Sequence, residues 1–200
     1  MEKKKIEYII NTLKSEDNKV LLNDIFDLQN DLNAYSDFKV ICISSVDDDE
    51  IAAAFSKAFC LSFAETGEKP LLIDANLYSP YFEIFGVSDI VGSESKKTKS
   101  VSIINLDKFD LAYFAGFKYP TDSLKNGALQ KIIKTKSKYD RFIVFMPNMK
   151  NKNDILLIKD DVDTVISVVI KNKTKTKDIF SCIKFCESNN LENVNFLLIK

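Results

Sequence analysis

Six short runs of apolar, mostly β-branched or aromatic residues recur along the chain: "KVICIS" (39–44), "PLLID" (70–74), "LAYFA" (111–115), "RFIVFM" (141–146), "TVISVVI" (164–170) and "NFLLI" (195–199). Strands that face water on one side alternate apolar with polar residues. Continuous apolar runs belong in a sheet covered on both faces. The intervening stretches carry helical spacing. "IAAAFSKAFCLSFAETG" places Phe55, Phe59 and Phe63 four apart and reaches a C-cap glycine at Gly67. "TDSLKNGALQKIIKTKSK" opens on a Thr or Asp cap and lines up Leu124, Leu129, Ile132 and Ile133. "TKTKDIFSCIKFCESNN" repeats Ile179, Cys182, Ile183 and Cys186. Strands alternating with helices at this spacing predict a three-layer α/β domain with a mostly parallel central sheet.

Two hundred residues suit one domain with an ample core. Before the first strand, "VLLNDIFDLQNDL" is amphipathic through Leu21, Leu22, Ile25, Leu28 and Leu32. Residues 1–36 are therefore expected as an N-terminal helical extension of a single 1–200 domain. "DIVGSESKKTKS" (89–100) reads as a surface loop.

Composition excludes several kinds of chemistry. There is no histidine, hence no imidazole base and no imidazole metal ligand. The cysteines, Cys42, Cys60, Cys182 and Cys186, lie in apolar segments and read as buried thiols, so no metal site is expected. A formal net charge of −1 gives no general attraction to nucleic acid. No apolar run is long enough to cross a bilayer, and no secretory leader opens the sequence. The expectation is a soluble, cytoplasmic protein with no direct membrane insertion.

The turn from the first strand into the helix is the place where many α/β proteins cradle a phosphate. In "ISSVDDDEIAAAFSKAF" (43–59) that turn holds Asp47, Asp48, Asp49 and Glu50, with neither glycine nor lysine. A phosphate cradle needs glycines, so that consecutive N–H groups point at the ligand, and it needs positive charge. Like charges about 4 Å apart repel by about 1 kcal/mol even in water. A calcium loop would require spaced ligands and a glycine turn, which are missing.

Three collinear blocks nevertheless resemble one family. "GEKPLLIDANLYSPYFEIFGV" (67–87) is similar to its G-x-K-x-L-L-I-D-A-D-L-R-x-P segment. "LAYFAGFKYPTDSLKNGALQKII" (111–133) is similar to its L-P-A-G segment and the following helix. "YDRFIVFMPNMKNKNDILLIKDDVDTVISVVIKNKTK" (139–175) follows its Y-D-x-V-I-I-D-T-P-P region and next strand. The chain thus resembles the bacterial tyrosine kinases of capsule and exopolysaccharide synthesis, a branch of the deviant-Walker ATPases that includes the MinD and ParA types. The resemblance implies a P-loop NTPase-like fold.

It also implies where the nucleotide would sit. Counting back without gaps from Gly67 and Asp74, the family's G-E-G-K-[ST] falls on Asp49, Glu50, Ile51, Ala52 and Ala53. The phosphate-binding lysine is then Ala52 and the magnesium-binding hydroxyl is Ala53. The second motif keeps Asp74 but has Asn76 for its partner aspartate, and Tyr78 for the arginine. The aspartate of I-I-D-T-P-P is Phe145. The ring-forming E-x-x-R-x-x-R falls on Asn23, Phe26 and Gln29, which removes its charges. The family's tyrosine-rich tail has no counterpart before Lys200. Tyr78, Tyr81, Tyr113, Tyr119 and Tyr139 read as packing residues, and "KNKTKTK" (171–177) as a solvated helix entrance with an anion contact as its alternative.

The expectation is a catalytically inactive scaffold or regulatory binding module in capsular or exopolysaccharide synthesis, with ATP and magnesium lost and no catalytic residue. The alternatives are a divergent nucleotide-binding kinase or ATPase, and a MinD/ParA-like positioning protein. The resemblance implies as partner an active kinase paralogue or a membrane polysaccharide copolymerase subunit, and a peripheral place at the inner membrane face through it. No nucleic-acid partner is expected, and a monomer or dimer is expected rather than a ring. The acidic turn Asp47–Glu50, if drift has not simply left it in solvent, would favour a lysine- or arginine-bearing partner.

Overall fold

The computed structural model describes residues 9–10, 18–35, 37–76, 81, 85, 100–115, 124–149 and 153–199. All six expected strands form, as β2 (Val40–Ser45), β3 (Pro70–Asp74), β5 (Asp110–Ala115), β6 (Arg141–Phe145), β7 (Thr164–Ile170) and β8 (Val194–Ile199). Two further strands join them, β1 (Ile9–Ile10) and β4 (Ser100–Asn105), to give an eight-stranded sheet in the order β1-β8-β7-β2-β6-β3-β5-β4. Every pairing is parallel except β4 with β5. The fold class is therefore α/β, three-layered, with a mostly parallel sheet.

β4 escapes a search for continuous apolar runs because "SVSIIN" begins by alternating, as an antiparallel strand at a sheet edge does. Most of the loop expected at 89–100 lies outside the described residues, and its last residue, Ser100, opens β4. Of the helix expected from Thr121, residues 121–123 lie outside the described residues, Leu124 and Lys125 are helical, and α3 (Ala128–Thr135) follows. Gly127 precedes it at φ 69, a left-handed conformation that breaks regular helix and suits glycine.

The strands bury both faces. α1 (Asn18–Tyr35) and α2 (Asp49–Glu65) cover one, where Ile25, Leu28 and Leu32 meet Phe55, Phe59 and Phe63 over Ile41, Ile43 and Ile143. The α2 rings form a ladder, with centroids 5.6 Å and then 5.0 Å apart. α3, α4 (Asn153–Leu156) and α5 (Thr176–Ser188) cover the other through Leu129, Ile132, Ile155, Cys182 and Cys186. Strand residues alternate between the two cores, Ile41 and Ile43 to the first and Val40 and Cys42 to the second. Gly67 follows α2 at φ 91, and Glu68 N–H turns back to Phe63 O at 3.1 Å.

The only arginine is structural. Arg141 donates to Glu68 at 2.6 Å, to Asp37 at 2.8 Å and to the Phe38 carbonyl, and its guanidinium lies 5.3 Å from the Phe63 ring. Carboxylates also secure the starts of the strands: Asp163 accepts from Lys39 N–H and Val40 N–H, and Asp140 from Lys69 N–H. No helix among the described residues is long and apolar enough to cross a membrane.

Candidate functional site

β2 is flanked by β6 and β7, and the chain leaves it for α2 and β3 on one side while α4 carries β6 back to β7 on the other. Such a reversal opens a crevice beyond the C-terminal ends of the strands, where ligands of open α/β sheets bind. The turn of residues 46–48 lies there, fixed by Val46 N–H donating to Val168 O at 2.9 Å.

Asp48 takes the extended backbone of an N-cap, and its carboxylate accepts from Ile51 N–H at 3.1 Å. A carboxylate of the chain itself thus occupies the positive end of α2, the part of the fold suited to an anion. Lys173, on the loop from β7 to α5, forms an ion pair with the same carboxylate. Beside it, Thr174 donates its hydroxyl to Asp47 at 2.9 Å and accepts from Ile170 N–H. Asp49 accepts from Ser45 at 3.3 Å and from the Asn148 amide at 3.2 Å. Ser45 Oγ in turn accepts from Asp48 N–H.

Three of the four acids are therefore bonded and half-buried, and only Glu50 is exposed. This corrects the reading of Asp47–Glu50 as carboxylates left in solvent by drift. It also corrects the reading of 171–177 as a purely solvated helix entrance, because Lys173 and Thr174 close over the turn. The missed partners are Ser45, Asn148, Lys173 and Thr174. Their only sequence signal was an acidic run and a basic run of similar length, 125 residues apart at the Lys173–Asp48 contact.

Burial pushes the Asp48 carboxyl up, but Lys173 and the Ile51 N–H outweigh it and hold it below its ordinary value. Asp49 goes the other way, since burial exceeds what Asn148 and Ser45 return.

Of the remaining aligned positions, Ile51 is half-buried, and Ala52 and Ala53 are fully buried in the core under α2. Asp74, at the end of β3, is 2 % exposed and accepts from Asn76 N–H and Tyr81 N–H, both at 2.9 Å. Its carboxylate thus ties Asn76 to Tyr81. Burial raises it to about 7 despite those two bonds. Asn76 is buried beside it. Phe145 is fully buried, with Tyr81 edge-on at 5.5 Å and Phe85 at 6.0 Å. Where the family pattern calls for a carboxylate, this chain packs an aromatic cluster. Burial and then the carboxylates of Asp49, Asp48, Glu50 and Asp74 raise the Tyr81 phenol. Tyr113 and Tyr139 are buried, while Tyr78 and Tyr119 lie outside the described residues.

A second concavity, a cleft of about 620 Å³, opens at the opposite end of the sheet, lined by Asp37, Phe38, Asp160, Asp163, Leu191 and Glu192 among others. None of the aligned nucleotide positions reaches it. Among the described residues, no cluster of three or more acidic or cysteine side chains has the arrangement of a metal site.

Comparison with solved structures places this architecture. The kinase domain of Escherichia coli tyrosine kinase ETK superposes with a TM-score of 0.74 at 18 % identity, over 90 % of this chain and 75 % of that one. The chain shares the fold of the bacterial tyrosine-kinase domains. The VpsO kinase domain gives 0.68 at 18 % identity, over 90 % and 93 % of the two chains. A chain of the MinC:MinD cell division protein complex of Aquifex aeolicus gives 0.57 at 18 % identity, over 80 % and 68 %. No protein-family model and no curated protein sequence matches.

Within this shared fold, the acidic turn lies between β2 and α2, Asp74 at the tip of β3 and Phe145 at the tip of β6. These three places surround the crevice. They present carboxylates and aromatic rings, with the Lys173 ammonium paired to Asp48.

Proposed function

We propose that this chain is a tyrosine-kinase-like domain that works without nucleotide, as a scaffold or regulatory binding module. The observation that supports this reading is the self-filled end of α2. Asp48 takes the N–H group that an anion would need, and Lys173 supplies its counter-charge. The residues present do not fit Mg·ATP. Ala52 and Ala53 bring neither ammonium nor hydroxyl, Asp74 is committed to two backbone N–H groups, and rings pack around Phe145. Without turnover, a folded domain of this kind acts through what it binds.

The family resemblance directs the search to capsular or exopolysaccharide synthesis, with an active tyrosine kinase or a membrane polysaccharide copolymerase subunit as partner. A basic partner segment reaching the crevice must compete with Lys173 for Asp48. Affinity capture from cells that make the protein, read by mass spectrometry, tests this reading. The expected catch is one of those two partner classes, unchanged by Asp74→Asn, which keeps the shape of the side chain but not its charge. A folded Asp74→Asn protein that has lost its cellular function would overturn the reading in favour of a divergent ATPase.

A further inference from the structure

The two helical layers carry opposite charge. On one face of the sheet, α1 and α2 together hold six carboxylates and two lysines. On the other, the segment 124–138 around α3 has five lysines and no carboxylate, and the segment 171–188 through the end of α5 has five lysines against Asp178 and Glu187. The intervening α4 region adds Asp154, Asp160 and Asp161 beside Lys159, of which Lys159 and Asp160 line the cleft at the N-terminal ends of the strands. A molecule of formal net charge −1 therefore presents one distinctly basic side.

On that side stands Phe180, 65 % exposed, the one large apolar side chain left to solvent among the described residues. Lys177 lies three residues before it and Lys184 four after, so both flank the ring on the same strip of α5. All three are exposed, while the opposite strip packs Cys182 and Cys186 into the core. Lys173 and Lys138 are already paired, to Asp48 and Asp110. Lys171 and Lys175, on the loop into α5, and Lys125, Lys131 and Lys134, on the α3 segment, are exposed as well.

We propose that the α3/α5 face is a docking surface for an anionic lipid bilayer, with Phe180 seated at headgroup level and the lysines against lipid phosphates. A protein partner would offer a pocket to a protruding ring and would need a broad apolar patch around it. Here the ring stands between the two ammonium groups of Lys177 and Lys184 on an exposed helix strip, with Glu187 one turn further on. That pattern suits the interface of a charged membrane, where each basic residue adds to adsorption and an aromatic ring rests between water and acyl chains. Nucleic acid is the less suited polyanion. Arginine, the usual bidentate reader of phosphate and base, is absent from both segments, and Arg141 is buried elsewhere. The contact is peripheral and spans nothing. It goes beyond the scaffold reading and stands or falls independently of it.

Vesicle flotation with the purified full chain tests the proposal, using phosphatidylcholine vesicles with and without phosphatidylglycerol. Binding is expected only to the phosphatidylglycerol vesicles and is expected to weaken as salt rises. Phe180→Ser lowers the partition coefficient roughly tenfold, and Lys177→Gln with Lys184→Gln lowers it by a similar or larger factor. Asp27→Asn, on the other face, leaves it unchanged. Each variant alters an exposed side chain, and a matching melting temperature verifies the fold. No binding to phosphatidylglycerol vesicles, equal binding to neutral ones, or indifference to Phe180 would overturn the proposal. Tighter binding to duplex DNA than to the vesicles would do the same.

Discussion

Asp48 has two roles at once, as the cap of α2 and as the partner of Lys173, so its replacement reads out both. Asp48→Ala is expected to destabilise the fold by about 1–2 kcal/mol in urea unfolding, mostly through the lost cap. Lys173→Met removes only the exposed half of an ion pair and should cost less than about 1 kcal/mol. Equal costs from the two substitutions would contradict this division. Asp74 gives the opposite signature with pH. Its folded value of about 7 lies above the ordinary 3.8, so the native state holds this proton more tightly than the unfolded chain does. Its contribution therefore favours the fold more as pH falls from about 7 towards 3.8, with a slope of up to about 1.4 kcal/mol per pH unit. The stability of Asp74→Asn, followed by chemical denaturation across that window, should lack this component. An unchanged slope would mean that Asp74 is already ionised in the fold.

At the scale of elements, burial decides which residues of the resembling kinase pattern could be introduced. Phe145 sits at the tip of β6 with Tyr81 and Phe85 against it and no water-facing side. Phe145→Asp introduces the carboxylate of the resembling pattern but places it in an apolar core, and should destabilise the domain by about 3 kcal/mol or more. Ala52→Lys meets the same obstacle, since Ala52 is fully buried within α2. Wild-type-like melting of either variant would show that the crevice is open where it is described as packed. The elements themselves were legible to different degrees. β3 and β7 matched their apolar runs, because a strand covered on both faces leaves a continuous signal. β4 did not, because an alternating edge strand beside a polar stretch resembles loop. Leu124 and Lys125 are helical as the spacing expects, and the left-handed Gly127 divides them from α3, while the expected cap at 121–122 lies outside the described residues. The clasp of Lys173 on Asp48 was beyond reach. Periodicity reports which face a residue takes, not which distant loop will close over it.

The molecule as a whole combines a shared kinase-domain fold with a β2–α2 turn that Asp48 caps and Lys173 closes. Association follows from the same residues. Gln29, at one of the positions where the family pattern has ring-forming charges, is 3 % exposed and donates to Thr66 Oγ1 at 3.3 Å. It is committed inward against the end of α2. Light scattering should therefore find a monomer or a two-fold dimer, and a particle of many subunits would contradict the assignment. The central claim is that the chain completes its own phosphate-binding turn with Asp48 and Lys173 and so has no use for nucleotide. Melting temperature measured against increasing Mg·ATP tests it most directly, because any ligand that prefers the native state raises stability as RT ln(1 + [L]/Kd). The account predicts a flat line through millimolar nucleotide. A saturable rise that disappears in Asp74→Asn would contradict it.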